Sequence, residues 1–177
     1  MSRKTICIGF FTLSIFCFSP MIFAEQYYDQ YSGNAFVPSD STSTYLRSYD
    51  FPYIAHNDTN DEGYVCPVTL NVPDGSAYFI KSIGIRFKDN LPDGHFHIVL
   101  KRKNLFTGNV HIVANWSSGH TSASSLEQTA SKGTEDGVKL VDTKKFVYWL
   151  RVVFQRDGDV NPYPNLVLYQ VRVHYGT

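Results

Sequence analysis

From Tyr45 to Tyr175 apolar and polar residues alternate, and Gly, Pro, Asn and Asp break the alternation at intervals of about ten residues. A period of two places successive side chains on opposite faces of a strand, so the pattern predicts short antiparallel strands joined by tight turns. Tyr45 to Ile54 offers one or two short strands, and Tyr64 to Val72 a longer one that ends at the turn Pro73-Asp74-Gly75. In Ala77 to Phe87 the phase slips near Ile80 and Lys81, which predicts a β-bulge, since one extra residue reverses the facing of all that follow. Phe96, Ile98 and Leu100 then alternate with His95, His97, Val99 and Lys101; a turn over Asn104 to Gly108 returns the chain with Val110, Ile112, Ala114 and Trp116 inward. The Ser/Thr-rich stretch Ser117 to Gly137 is compatible with an edge strand around Ser125 to Thr129 or with a helical turn. Lys145 to Gln155 is apolar on both faces and predicts a central or doubly covered strand. Leu166 to Tyr175, with Val167, Tyr169, Val171, Val173 and Tyr175 on one side, is expected to close the sheet. Roughly eight strands and no helix longer than two turns predict an all-β, two-sheet antiparallel β-sandwich of jelly-roll-like layout.

With 177 residues, 43% hydrophobic and 18% charged, the chain is long and apolar enough to bury one core, which excludes a disordered tail. Arg3 and Lys4 precede an apolar run from Thr5 to Ser19, and Ile22-Phe23-Ala24 has the form of a cleavage site. Residues 1–24 therefore read as a signal peptide cleaved near Ala24, and the product as secreted or periplasmic. The apolar run, at roughly 15 residues, is short of the roughly 20 that a bilayer requires, so no stable membrane span is expected. Residues 25–43 form a polar, aromatic-bearing arm whose Tyr27, Tyr28, Tyr31 and Phe36 are expected to clamp onto the domain of residues 44–177. All 16 acidic residues but only 14 of the 16 basic ones lie beyond residue 24, a net charge of −2 that excludes a nucleic-acid partner. Cys7 and Cys17 belong to the leader, which leaves Cys66 without an intrachain disulfide partner; it reads as a small buried side chain, with an intermolecular disulfide as the alternative.

Ala35-Phe36-Val37-Pro38, the segment Pro67-Val68-Thr69-Leu70-Asn71-Val72-Pro73-Asp74-Gly75 and the closing Tyr169-Gln170-Val171-Arg172-Val173-His174-Tyr175 resemble small exported bacterial β-sandwich proteins of uncharacterised function. The resemblance implies an extracytoplasmic sandwich and carries over no catalytic residues.

Several residues suggest chemistry. His95 and His97 share a strand face with their roots roughly 6 to 7 Å apart, a chelating spacing, and Asp93 precedes them on the same parity. A metal-dependent enzyme using His95 and His97 is one reading; solvent-facing histidines are the plainer one, because Lys101, Arg102 and Lys103 stand where a further carboxylate ligand is wanted. No cofactor is expected otherwise. Calcium has two oxygen-rich candidates, Asp58, Asn60 and Glu62, and Asp157, Asp159 and Asn161, although ordinary turn chemistry recruits the same residues. No nucleophile elbow is present. Aromatic rings beside polar groups suit sugars, which present C–H faces and polar rims. Trp116, flanked by Asn115 and near His120, and Tyr163, in the same region of loops as Asp157 and Asp159, are the expected exposed candidates. The leading expectation is thus a secreted, non-catalytic β-sandwich that binds a surface component, glycan or protein, through its loops. A self-assembling structural subunit, a homo-oligomer built through the arm and a sheet edge, is the alternative.

Overall fold

The computed structural model describes residues 26–39, 45–47, 54–56, 62–73, 77–91, 95–135, 139–155 and 165–177. They form twelve strands: β1 (Gln26–Ser32), β2 (Val37–Pro38), β3 (Tyr45–Arg47), β4 (Ile54–His56), β5 (Glu62–Val68), β6 (Phe79–Asp89), β7 (His95–Asn104), β8 (Val110–Ser117), β9 (Ser124–Gly133), β10 (Lys139–Leu140), β11 (Phe146–Gln155) and β12 (Leu166–Gly176). The helical content of these residues is two single 3-10 turns, Gly33–Ala35 and Ser118–His120. Several strands are only two or three residues long, which is why the count exceeds the expected eight. Every pairing is antiparallel.

The first sheet is built around β6 and β12: β9 and β10 pair with β6, while β1 and β4 pair with β12, and β3 extends β4. The second sheet runs β2-β5-β11-β7-β8. The inward rows Ile83, Ile85 and Phe87 on β6, Phe96, Ile98 and Leu100 on β7, Leu150, Val152 and Phe154 on β11, and Val171 and Val173 on β12 meet in one core. Burying such rows between two sheets supplies most of the driving force for the fold.

Bulges decide which residues face where. The slip expected near Ile80 and Lys81 is present: Ser82 pairs with His174 and Ile80 with Tyr175, and Lys81 is the extra residue. Two further bulges escape the alternation. Ala114 pairs with Leu100 and Ile112 with Lys101, so Val113 is extra; it turns inward beside Ala114, and Val110 and Ile112, expected inside, are exposed. Leu168 pairs with Phe87 and Gln170 with Arg86, so Tyr169 is extra and lies half-buried by Arg86, while Leu166 and Leu168 enter the core. β12, expected to close the sheet, occupies its middle instead, because the amino-terminal segment supplies β1 along its second edge. β11 is central, but its second face is open, with Val147 exposed.

The expected arm is a pair of strands, one in each sheet. Its alternation is weak because the residues that face the domain carry polar tips. The Tyr31 hydroxyl donates to the Thr69 carbonyl at 2.9 Å, and the Asp29 carboxylate accepts from the Asn71 backbone and side chain. Tyr27 stacks on Tyr175 at 5.9 Å and Phe36 is fully buried, so these aromatics clamp as expected, whereas Tyr28, expected to do the same, is exposed. Cys66 is buried with its thiol pushed up to about 11 by that burial, which removes it from surface disulfide chemistry. No helix among the described residues is long and apolar enough to cross a membrane.

Candidate functional site

Of the expected loop site, Trp116 is the member that the structure places elsewhere. That ring is 9% exposed and packs against Phe87 at 4.9 Å and Phe96 at 5.7 Å. It pairs with Ile98 on the inward row of β8 and is a core residue rather than an exposed binding face. Asn115, its neighbour in sequence, is exposed and pairs with Val99, so the pleat sends the two to opposite faces. His120 ends the turn Ser118–His120, but its side chain lies outside the described residues, as do Tyr163, Asp157, Asp159 and Asn161. Asp58 and Asn60 also lie outside them, and of Glu62 only the backbone, at the start of β5, is described.

His95 and His97 do come together, edge to face with ring centroids 4.9 Å apart, on the outer face of the second sheet. Asp93 lies outside the described residues, and these contain no group of three His, Cys, Asp or Glu side chains able to hold a metal. Buried Asp89, with its carboxyl pushed up by burial against the hydrogen bonds of Ser118 and Leu91, has a structural role: Ser118 Oγ in turn accepts the Phe96 N–H at 3.0 Å, fastening the Ser118–His120 turn to β7.

Among the described residues, a recess lies elsewhere, on the outer face of the first sheet. It is a groove of about 250 Å³ lined by Gly84, Arg86, Thr129, Ser131, Gln170, Arg172 and His174. Register explains its shape. Gly84 on β6 pairs with Ser131 of β9 on one side and Arg172 of β12 on the other. The next row is Thr129-Arg86-Gln170, and the row on the opposite side is Gly133-Ser82-His174, extended by Tyr28 of β1. Small side chains thus make a floor between taller walls. A Cβ at Gly84 would meet His174 Nε2 at 3.4 Å and Arg172 Cβ at 3.8 Å, so the glycine keeps the floor low without its backbone being strained.

Rings and planar polar groups form the walls. Tyr28 is 60% exposed; the Arg172 guanidinium sits over its ring at 5.4 Å, and the His174 ring lies 6.2 Å away at a shallow angle. Arg172 Nε donates to Gln170 Oε1 at 3.2 Å, which holds both side chains along the groove. On the far wall Arg86 forms a bidentate ion pair with Glu127, whose second arm measures 2.9 Å, and covers Tyr169 at 5.8 Å. Partial burial, with Arg172 beside it, holds His174 below the usual histidine range, so at neutral pH it is an uncharged donor and acceptor. The groove therefore presents guanidinium, amide and imidazole edges and small hydroxyls, with the exposed Tyr28 ring beside it.

The alternation in sequence already sets Ser82 and Arg86 opposite the core row of β6, and Gln170, Arg172 and His174 opposite that of β12. The signal was a polar row on each of two strands; what it lacked was the pairing that aligns them and brings Tyr28 alongside.

Neither a protein-family model nor any curated protein matches the chain. Among solved structures, it is similar to the C-terminal CBM6 of LamC, a marine laminarinase from Zobellia galactanivorans: 13% identity, TM-score 0.46, covering 85% of this chain and 100% of that one. It is also similar to the family 11 carbohydrate-binding module from Clostridium thermocellum in complex with a β-1,3-1,4-mixed-linked tetrasaccharide, at 10% identity and TM-score 0.35, covering 84% of this chain and 87% of that one.

Proposed function

We propose that this protein is a non-catalytic glycan-binding sandwich whose ligand lies in the groove of the first sheet. The observation that carries the reading is the exposed Tyr28 ring, set by Arg172 and His174 beside a trough floored by Gly84. A sugar ring offers a C–H face to an aromatic and hydroxyls to planar donors and acceptors, and the groove supplies both on a rigid sheet. On this reading the site is a sheet face rather than the loops expected from sequence. Residues 1–24 are, on this reading, an export signal, and the ligand an extracytoplasmic glycan.

A glycan array probed with the full-length chain tests this. Wild type is expected to retain a defined glycan, and Tyr28→Ala and Arg172→Ala are each expected to weaken it by about tenfold, equivalent to about 1.4 kcal/mol. Gly84→Val fills the trough and is expected to abolish the signal while changing folding stability by less than about 1 kcal/mol, because its Cβ makes only ordinary contacts with His174 and Arg172. No retained glycan, or one that all three folded variants hold like wild type, would overturn the reading.

A further inference from the structure

The opposite side of the sandwich, the outer face of the second sheet, has a different character. In register across β8, β7, β11 and β5 runs the row Ile112-Lys101-Trp149-Pro67, and beside it Val110-Lys103-Val147. The remaining rows of this face add Val37, Val65, Val99, Asn115, Arg151, Val153, Gln155 and the His95–His97 pair. Among its described residues there is no Asp or Glu. Among the described residues two carboxylates lie at its margin: Glu135 beside Val110 and Ile112 at the β8 edge, and half-buried Asp142, whose Oδ1 accepts the backbone N–H groups of Lys144 and Lys145.

At one end the face runs into the β7–β8 turn, where Phe106 is 81% exposed and Leu105 is also exposed. The tip is held firmly. Asn104 Oδ1 accepts the N–H groups of Phe106 at 2.9 Å and Thr107 at 3.2 Å, and Gly108, with φ +75°, closes back on the Asn104 carbonyl at 2.9 Å. The Leu105 N–H donates to the Lys145 carbonyl at 2.9 Å, which ties the exposed Lys144 and Lys145 to the flank of the tip. An apolar tip with lysines at its base thus continues into a flat face of valine, isoleucine and tryptophan interleaved with lysine and arginine.

We propose that this face, with the Leu105–Phe106 tip at its end, docks on a lipid bilayer bearing anionic headgroups. Charge selects the occupant. A second copy of the chain laid against the same face would set Lys101, Lys103 and Arg151 against identical cations, whereas an anionic headgroup layer meets all of them with opposite charge. Shape agrees, because a protruding Phe106 needs a partner that yields, and an acyl layer yields while lysine stems reach back to the headgroups. The reading is independent of the glycan groove, which lies on the other side of the sandwich.

The test uses the full-length chain with vesicles of phosphatidylcholine, alone or mixed with phosphatidylglycerol, each containing brominated acyl chains that quench nearby tryptophan. The chain has two tryptophans, and only Trp149 lies in this face, so the readout is specific to it whatever the amino-terminal segment does. Strong quenching is expected on the phosphatidylglycerol vesicles and little on pure phosphatidylcholine, with the signal lost in Trp149→Phe. Phe106→Ser is expected to weaken the partition at least about tenfold, and Lys101→Gln and Lys103→Gln about fivefold each, with less loss at high salt. Phe106 is exposed on a turn, so its variant folds; a circular dichroism spectrum like that of wild type checks this. Absence of quenching on anionic vesicles, equal quenching on neutral ones, or quenching unchanged in Phe106→Ser and in both lysine variants would overturn the proposal. So would uptake by soluble heparin unaffected by Phe106→Ser and without quenching on vesicles, which would make a dissolved anionic polymer the partner.

Discussion

Replacing Phe96 by alanine is expected to destabilise the fold by about 3–5 kcal/mol. Phe96 is fully buried and stands where the two sheets meet, with Phe87 of the first sheet at 5.5 Å edge to face, and Trp116 at 5.7 Å and Phe154 at 5.6 Å within its own. Truncation removes the transfer free energy of the ring and leaves a space walled by three other rings, whose own packing on β6, β8 and β11 keeps them from closing over it. Against a total of about 5–15 kcal/mol for a domain, that is a large share. Urea denaturation followed by tryptophan emission measures it directly, since Trp116 borders the space. Val147→Ala, on the open face of β11, is the matched control and is expected to change stability by less than about 0.5 kcal/mol. A Phe96→Ala loss of under about 1 kcal/mol would show that the aromatic cluster is not the keystone between the sheets.

The inward row around Phe96 is also where sequence reading worked best. Phe96, Ile98 and Leu100, and Tyr148, Leu150, Val152 and Phe154, stand on uninterrupted strands, so the period of two assigns their faces correctly. It fails where a strand carries a hidden extra residue. Val113 and Tyr169 are apolar, and an apolar bulge leaves no polar residue out of phase to mark it, whereas Lys81 between Ile80 and Ser82 does. The arm was harder still: β1 is recognisable only once β12 is there to pair with it, because Asp29 and Tyr31 satisfy their polar tips on Thr69 and Asn71, about forty residues away in sequence.

The candidate site shows the same limit. Tyr28, Gly84, Arg86 and Arg172 come from three strands distant in sequence, and no local spacing announces that register will align them. Trp116 misled because its polar neighbours Asn115 and Ser117 suggested exposure, while its own position on the inward row, legible from Ala114 two residues before it, predicted burial. The alternation also carries a broader message once both sheets are in place. The outward residues of the first sheet around Gly84 are hydrogen-bonding groups, serine and threonine between arginine, glutamine and histidine, and those of the second are mainly valine, tryptophan and lysine. One sandwich thereby offers a polar groove on one side and an apolar, cationic plane on the other, and a protein bound to a surface by the second would hold the first facing away from it.

Stability is expected to fall steeply as pH rises from about 9 toward about 12, through buried groups that give up protons late in the folded state. Burial pushes the Cys66 thiol up to about 11 from an ordinary value of 9.0. The Tyr175 hydroxyl is pushed up to about 12 from 10.0, first by burial and then by the Asp29 carboxylate, against the lowering effect of its hydrogen bond to the Asn71 carbonyl. Tyr31 moves in the same direction through burial and Asp29. In each case the folded-state value lies above the unfolded one, so the folded chain binds more protons through the interval. The contribution is complete below the unfolded value and disappears as pH passes through the folded one. At about 1.4 kcal/mol per pH unit of separation, Cys66 and Tyr175 each withdraw about 2 kcal/mol by the end of their intervals. Urea midpoints measured across this range should therefore drop in two overlapping stages, with Cys66→Ala removing the earlier stage and Tyr175→Phe reducing the later one, which Tyr31 shares. At neutral pH Tyr175→Phe costs about 1 kcal/mol through the lost bond to Asn71, so it starts lower than wild type but declines less. A Cys66→Ala protein that loses stability between about pH 9 and 11 as fast as wild type would show that the thiol is already reached by water, and that the core beneath β5 is looser than the packing of Cys66 against it implies.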